Sequence, residues 1–394
     1  MKAFSRAWSA WGVATVTSVL LAGCGGGGGD GTPTSTEAGI TTVKVVGDSL
    51  NDSGVFGVKF AMQGTAAEPM RIWTERIAAQ YGTPALCPRY VATNATTVVP
   101  NPSTAACTSY AVGGGRINLP AAPASPLSIP QQLTTLAAEK AYTPGDLLLI
   151  GGGGNDAADL VGAYLKAPFD RAADYSGLLA SLIGPAATGT QLAAGPAGAA
   201  NAGGLYMTAL ANKMADAVRT SALERGARKV VLLNLPGINN TPRFQSTLDL
   251  VALGSGGGVA GATARAQTEA VIKSWIEAYN RQLASRFAGN ANVLVVDFYS
   301  NFNDQIANPA QYGLTNVKTP ACPAIGRGSD NLPEYNTATC TFASLSAQTP
   351  PPGSNGQADW WRSYAFSDGF HPTAYGYQLM AQMVTRSLAT AGWL

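Results

Sequence analysis

The stretch Val43-Lys-Val-Val-Gly-Asp-Ser49-Leu-Asn-Asp-Ser-Gly54 is the part of the chain from which the fold can be argued. Its β-branched residues predict a strand, and its small polar residues predict a tight turn directly after that strand. Ser49 then stands at the carboxyl end of a strand, which is where ligands and chemistry lie in open α/β sheets. A serine in this place is equally typical of a helix N-cap, so the stretch alone leaves both interpretations open.

His371 favours the catalytic interpretation, because it is the only histidine in the 394 residues and lies in Ser367-Asp-Gly-Phe-His-Pro-Thr373. A serine hydroxyl is a weak nucleophile at neutral pH until a base takes its proton, and imidazole is the side chain best suited to that. Asp368, three residues earlier, could hold one ring nitrogen and leave the other free for Ser49. The alternative is a buried histidine with a purely structural role.

Two further predicted strands end in glycine. One is Asp146-Leu-Leu-Leu-Ile-Gly-Gly-Gly-Gly-Asn155-Asp156, and the other is Ser109-Tyr-Ala-Val-Gly113-Gly114-Gly115. Glycine lets backbone N–H groups approach a ligand closely, and Asn155 adds a side-chain N–H, so both runs could stabilise an oxyanion. Each is also compatible with an ordinary glycine-rich turn. Neither continues into Gly-Lys-Ser/Thr, which argues against a phosphate-binding loop.

These segments together resemble the four sequence blocks of the GDSL, or SGNH, serine hydrolases. The blocks are Gly47-Asp-Ser-Leu50, the glycines around Gly114, Gly154-Asn-Asp156 and Asp368-x-x-His371, in that family's order and over nearly the whole chain. The resemblance implies an α/β fold, namely a flavodoxin-like three-layer α/β/α sandwich with a central parallel five-stranded sheet. Ser109 is a small departure, since the family's second block often has asparagine there.

The resemblance also implies a role for each residue. Ser49 is the nucleophile, His371 the general base and Asp368 the orienting acid, with an oxyanion hole from the backbone N–H groups of Ser49 and Gly114 and the side chain of Asn155. Gly113 competes with Gly114, because three consecutive glycines leave the alignment ambiguous by one residue. Asp48 and Asp156 are expected to support the loops by hydrogen bonding.

The amino terminus predicts export. Lys2 and Arg6 precede a short apolar run, so residues 1–23 are predicted to be a signal peptide. Leu21-Ala-Gly-Cys24 resembles a bacterial lipobox, which implies lipid attachment at Cys24 and an envelope protein anchored in the outer membrane or periplasm. The alternative is a secreted protein with an incidental cysteine. Residues 24–41 are rich in Gly, Thr, Pro and Ser and predict a flexible tether.

Four cysteines remain after Cys24, in two couples that are close in sequence. Pairing Cys87 with Cys107 and Cys322 with Cys340 closes two short loops, each worth about 3 kcal/mol in the chain-entropy model. The alternative, a metal site formed by the four cysteines, has little support, because the C-x2-C spacing of such sites is absent. With one histidine in the chain, we expect no metal and no cofactor.

Composition narrows the remaining function classes. The net charge is +2 and only 12% of residues are charged, so no electrostatic footprint for nucleic acid exists. Hydrophobic residues make up 46% of the chain, enough for the core of one large catalytic domain over residues 42–394. We expect a monomer.

Strand and helix patterns alternate along this domain. Strands are predicted at residues 42–46, 108–112, 147–150, 229–235 and 292–298, and helices at 68–81, 128–140, 205–225, 264–287 and 373–390. Strands separated by helices indicate a parallel, doubly wound sheet. Ser128-Ile-Pro-Gln131 is typical of a capping box, and residues 254–261 are expected to be a surface loop.

Two segments are longer than the connections that a minimal sheet needs. We predict that they are insertions, near residues 168–204 and 299–365. The second contains many aromatic residues: Phe302, Tyr312, Tyr335, Phe342, Trp360, Trp361 and Tyr364. They could form an acyl or aglycone pocket beside Ser49, or a satellite core under a long loop.

The predicted function is hydrolysis of a neutral carboxylic ester by an exported esterase or lipase through an acyl-enzyme. Two alternatives stay open. The same residues could transfer the acyl group to another alcohol, or the domain could be an inactive binding module on a hydrolase fold.

Overall fold

The computed structural model describes residues 39–94, 97–102 and 106–394. The predicted signal peptide, the lipidation site Cys24 and most of the predicted tether lie outside these residues. The chain enters the domain at Thr41, whose backbone N–H donates to the carbonyl of Gly145 at 2.8 Å.

The secondary structure alternates between strands and helices, as expected. The strands are β1 (Thr42–Val46), β2 (Tyr90–Ala92), β3 (Val98–Pro100), β4 (Asp146–Ile150), β5 (Val230–Leu233), β6 (Val293–Val296), β7 (Gly326–Arg327) and β8 (Pro333–Glu334). The helices are α1 (Trp73–Gln80), α2 (Ile129–Glu139), α3 (Gly154–Asp170), α4 (Ala173–Ile183), α5 (Pro185–Ala193), α6 (Gly195–Ser221), α7 (Pro242–Gly254), α8 (Gly258–Phe287), α9 (Phe298–Ala307), α10 (Phe342–Ser346) and α11 (Ala374–Thr390).

The central sheet has the strand order β1-β4-β5-β6, and all its neighbours are parallel. Its register places Val45 beside Leu149 and Ile150 beside Leu232. Parallel strands end at the same edge of a sheet, so the carboxyl ends of β1, β4, β5 and β6 form one continuous edge. The site described below lies along that edge.

The sheet has helices on both faces because its apolar side chains alternate. Val46, Leu148 and Ile150 pack with the apolar sides of α2, α3, α6 and α8. Val45 and Leu149 point to the other face, where they pack with α1, α9 and α11. This period of two along each strand produces two separate cores, one on each face, and so a three-layer sandwich. The predicted fold class is confirmed.

The strand count differs from the expected five, since the central sheet of the described residues has four. Residues 108–112 do lie beside β1, with an isolated parallel bridge between Val45 and Ser109. Backbone hydrogen bonds join Val45 and Gly47 to residues 108–112, but the ladder is incomplete because some of its bonding groups have side-chain partners. The Thr108 hydroxyl donates to the Val43 carbonyl at 2.7 Å, and the Gly47 N–H donates to Gln132 at 2.7 Å.

Several helix boundaries differ from the prediction. Helix α1 begins five residues later than expected, where the Glu75 carboxylate accepts the Ile72 N–H at 3.0 Å. Helix α2 forms as predicted, but Ser128 makes no side-chain cap, and the Gln131 amide instead bonds Thr135 at 3.1 Å. Most of the expected loop at 254–261 is the turn between α7 and α8 and the first residues of α8.

The two predicted insertions differ in structure. Residues 168–204 are almost entirely helical, covering the end of α3, α4, α5 and the start of α6. Residues 299–365 are mostly irregular and contain the short hairpin β7–β8, α10 and the disulfide Cys322–Cys340. The disulfide Cys87–Cys107 lies beside β2, so both predicted pairings are confirmed. In the part of the chain that the structure describes, no helix is long and apolar enough to cross a membrane.

Candidate active site

Ser49, His371 and Asp368 form one line of hydrogen bonds at the carboxyl edge of the sheet. The Nε2 atom of His371 lies 2.9 Å from the Ser49 Oγ, across 322 residues of sequence. The Nδ1 atom of the same ring lies 2.8 Å from Oδ2 of Asp368 and 3.0 Å from Oδ1. With the proton on Nδ1, the ring donates to the carboxylate and leaves Nε2 to accept the serine proton.

The Asp-x-x-His turn holds its own geometry. Oδ1 of Asp368 accepts the backbone N–H groups of Phe370 and His371, each at 2.8 Å. The Ser367 N–H donates to the His371 carbonyl at 2.8 Å, and its hydroxyl donates to the same carbonyl at 3.0 Å. The local hydrogen bonds of this turn therefore hold the Asp368 carboxylate and the His371 imidazole together without a contribution from Ser49.

Burial and the attraction between the two groups shift the pKa values of His371 and Asp368 in opposite directions. Burial disfavours the imidazolium, but the charge and hydrogen bond of Asp368 outweigh it and raise the pKa of His371. Burial also disfavours the carboxylate, yet the attraction of His371 and the N–H donors lower the pKa of Asp368. Asp368 therefore stays ionised over the neutral pH range and stabilises a proton on His371.

The candidate oxyanion donors lie next to Ser49. Gly114, Asn155 and Ser49 line the same cavity, and Asn155 uses one side-chain N–H to donate to the Gly115 carbonyl at 3.0 Å. The Gly113 N–H instead donates to Oδ2 of Asp52 at 2.7 Å. Within the described chain, the backbone N–H groups of Ser49 and Gly114 have no protein acceptor. The geometry favours Gly114 over Gly113.

Comparison with known families identifies the family of the chain. The chain matches the family model of the GDSL-like lipase/acylhydrolase over residues 43–384. The chain belongs to the GDSL-like lipase/acylhydrolase family. No curated protein matches it. Membership in this acylhydrolase family supports a hydrolase with an ester substrate in general terms.

The turn that carries Ser49, termed here the nucleophile turn after the role that the sequence predicts for Ser49, is held by two buried amides that the sequence did not single out. Gln132 on α2 donates to the Gly47 carbonyl at 3.0 Å and accepts the Gly47 N–H at 2.7 Å. Asn51 donates to the Val46 carbonyl at 2.8 Å and accepts the Trp73 indole N–H at 3.0 Å. Gly47 has φ +145°, and a Cβ there would lie 2.4 Å from the Gly151 carbonyl oxygen. These contacts fix the backbone of the turn that carries Ser49.

Three buried aspartates arrange the surrounding loops. Asp52 accepts the N–H groups of Gly113, Gly54 and Val55, which joins the nucleophile turn to the glycine segment, and burial raises its pKa to about 6. Asp156 accepts the N–H groups of residues 117 and 118 at 2.9 and 2.7 Å, and burial raises its pKa to about 7. Asp48 accepts the Leu50 N–H at 3.1 Å, and burial raises its pKa too.

Of these positions, Asp48 and Asp156 match the supporting role that the sequence predicted. Asp52 and Asn51 lie within residues 43–54, shortly after Ser49. This closeness to Ser49 in the sequence could have indicated their supporting role. Gln132 offered none, because its contact with Gly47 spans 85 residues. Only the packing of α2 beside β1 brings its amide to the turn.

The cavity beside Ser49, termed here the edge cavity, has a volume of about 270 Å³. Its walls are largely apolar and include Phe60, Leu233, Leu235, Pro236, Ile238, Phe298, Phe302, Phe366, Phe370 and Pro372. Of the aromatic residues proposed from the sequence as a pocket, only Phe302 lines it. Phe342, Trp360, Trp361 and Tyr364 are buried instead, and they belong to the main core on one face of the sheet rather than to a separate satellite core. Among the described residues, no group of three or more His, Cys, Asp and Glu side chains could hold a metal ion.

Proposed function

We propose that the chain is a carboxylic ester hydrolase, an esterase or lipase, that works through a Ser49–His371–Asp368 triad and an acyl-enzyme. The observation that carries the proposal is the unbroken line of hydrogen bonds from Ser49 Oγ through the imidazole to Asp368. A serine, a base and an orienting acid at these distances are what nucleophilic catalysis requires.

In the proposed reaction, Ser49 Oγ attacks the ester carbonyl while Nε2 of His371 takes the hydroxyl proton. Asp368 stabilises the imidazolium that forms, which agrees with the direction of the His371 pKa shift. The imidazolium then gives its proton to the leaving alcohol, and Ser49 holds the acyl group as an ester. Water, deprotonated by His371, releases the acid in the second half of the reaction.

The negative oxygen of the tetrahedral intermediate would meet three N–H groups, from the Ser49 and Gly114 backbone and the Asn155 side chain. The two backbone donors have no acceptor within the described residues, and Asn155 keeps a second N–H beyond its bond to Gly115. Donors already in place cost no rearrangement when the charge develops, which is the physical basis of an oxyanion hole.

The test combines labelling with turnover. A fluorophosphonate probe should phosphonylate Ser49, with loss of fluoride, and p-nitrophenyl butyrate should be hydrolysed. Ser49→Ala should abolish both, and His371→Ala should reduce both by about 10³-fold or more. Ser53→Ala is the matched control, because this serine lies in the same turn and its hydroxyl has no hydrogen-bond partner in the described structure.

A folded protein that takes no label and hydrolyses no ester would reject the proposal and favour a binding module. Products measured with a competing alcohol would show how much acyl group is transferred to acceptors other than water.

We also propose that the enzyme is an exported bacterial protein, anchored through a lipid on Cys24, and acts as a monomer. The apolar run and lipobox-like Leu21-Ala-Gly-Cys24 support the first part, and two disulfides fit an oxidising compartment. Metabolic labelling with a fatty-acid analogue should mark the wild type and not Cys24→Ala. Equal labelling of both would reject the anchor.

A further inference from the structure

The edge cavity extends across the sheet rather than outward from Ser49. It begins at the turn after β1, passes Gly151 and Asn155 after β4 and Leu235 after β5, and reaches Phe298 after β6. Four neighbouring strands are separated by three spacings, so its two ends are roughly 14 Å apart. A substrate with its carbonyl at Ser49 therefore has room for a chain that runs along the carboxyl edge.

The lining of the cavity suits a hydrocarbon. No lysine or arginine is among the described residues that form its wall. The polar side chains outside the catalytic set are already engaged: Asn234 bonds Asp297 and the Tyr299 N–H, and Thr241 donates to the Ile238 carbonyl at 2.8 Å. Away from the candidate oxyanion donors, this wall offers few groups that could replace the hydrogen bonds of a sugar or a charged group, so burying one there would be costly.

Aromatic rings cluster in the cavity wall next to the carboxyl end of β6. Phe302 packs edge-on against Phe298 at 5.8 Å and against Phe366 at 6.0 Å between ring centroids. All three line the cavity and are at least nine-tenths buried. A buried ring with an aromatic neighbour on two sides does not move aside easily, because protein interiors are close-packed. It therefore sets a limit to the length of chain that the cavity accepts.

We propose that the edge cavity binds the acyl chain of a neutral, medium-chain carboxylic ester, and that Phe302 determines the longest chain accepted. The proposal rests on the ester hydrolysis proposed above. An extended chain advances about 1.2 Å per bond, and the aromatic rings fill part of the span, so we expect chains of about six to ten carbons. An acetyl group would leave most of the cavity empty, and a palmitoyl chain would exceed it.

The experiment measures kcat/KM of the protein for p-nitrophenyl esters from acetate to palmitate. Each methylene that enters the cavity should raise kcat/KM by about four-fold. The increase should stop between hexanoate and decanoate, and palmitate should be a poor substrate.

Variants at Phe302 test the length limit. Phe302→Leu should raise the ratio of kcat/KM for laurate to that for hexanoate by about ten-fold. Phe302→Ala should raise it further, and the leucine variant keeps the test valid if the alanine variant does not fold. Phe342→Leu is the matched control: Phe342 belongs to the same insertion and is buried, but stacks on Trp361 at 4.6 Å and does not line the cavity. Its ratio should equal that of the wild type.

The outcomes separate the two proposals. Hydrolysis that is fastest with acetate, or a laurate ratio that Phe302→Leu does not change, would overturn the acyl-chain inference and leave the esterase proposal intact. Absence of turnover and of fluorophosphonate labelling in folded protein would overturn both.

Discussion

Buried carboxylates at the two ends of the central sheet have different hydrogen-bond and charge partners. At the amino end, Asp146 is paired with Lys44 at 2.8 Å, and both side chains are almost fully buried. At the carboxyl end, Asp48, Asp52 and Asp156 are equally buried, but none of them forms an ion pair within the described residues. They are held by backbone N–H groups instead, and their pKa values are raised.

The paired carboxylate contributes mainly to stability, whereas the unpaired carboxylates position the loops of the candidate active site. A buried charge that has a charged partner is tolerated because the partner compensates its lost hydration. A buried carboxylate that only accepts N–H groups is less stabilised, but each bond orients a loop of the backbone. Asp368 at this end has His371 beside it, but the other three buried aspartates position backbone N–H groups without a charged partner, as functional sites often do.

The largest effect should come from Asp368→Asn, which keeps the shape of the triad and removes its charge. We expect kcat to fall by about 10⁴-fold, because an amide no longer enforces the ring tautomer that accepts the serine proton. His371 must be neutral to act as base, so wild-type kcat/KM should rise with pH through a midpoint above 6.5, in line with its raised pKa.

Without the Asp368 charge, the main cause that raises the pKa of His371 is lost, so this acid limb should move to lower pH. The pH profile of residual activity measures the shift. An unchanged limb would mean that another group controls it.

The next effect concerns the amino end. Asp146→Asn leaves Lys44 buried without its partner and should lower the free energy of unfolding by about 3 to 5 kcal/mol. Urea denaturation measures the loss, while kcat of the remaining folded protein should equal that of the wild type. The double variant Lys44→Met with Asp146→Leu should recover most of the stability, since it removes both charges together. A fall in kcat would contradict the separation of the two ends.

Asn155→Ala should lower kcat by about 10²- to 10³-fold through the loss of one oxyanion donor. KM should stay close to that of the wild type, because the donor acts on charge that develops after binding. Steady-state kinetics on the best ester of the series separate the two constants. A large rise in KM at unchanged kcat would contradict the oxyanion role.

The smallest effect is expected for Asp52→Asn, which tests the link between the nucleophile turn and the glycine segment. An amide cannot accept all three N–H groups, and its own N–H group would face a donor such as Gly113. The loss of this bond should lower kcat by about ten-fold with little change in KM. Asp52→Glu keeps the charge but not the reach, and an unchanged kcat in both variants would show that Gly114 needs no such support.

The sequence by itself determined the fold class, because the β-branched runs and the helical patterns between them allow few arrangements other than a parallel, doubly wound sheet. It also pointed to Ser49, Asp368, His371 and Asn155 as candidate site residues, because His371 is the one histidine in the chain and the set resembles the GDSL sequence blocks. Both disulfides were predicted from local spacing. These conclusions depend on residue type and on neighbours in the chain, which a sequence states directly.

Only the tertiary structure decided the details that depend on distant partners. The preference for Gly114 over Gly113 as the proposed oxyanion donor rests on the bond between the Gly113 N–H and Asp52, 61 residues away. The expected fifth strand meets β1 only in an isolated bridge, because the Thr108 hydroxyl takes the Val43 carbonyl and the Gln132 amide takes the Gly47 N–H just after β1. Phe302 reaches the edge cavity while Phe342 packs in the core, although both are aromatic residues of one insertion. Hydrogen bonds and packing between remote segments settle such alternatives, because each group can satisfy only a few partners at once.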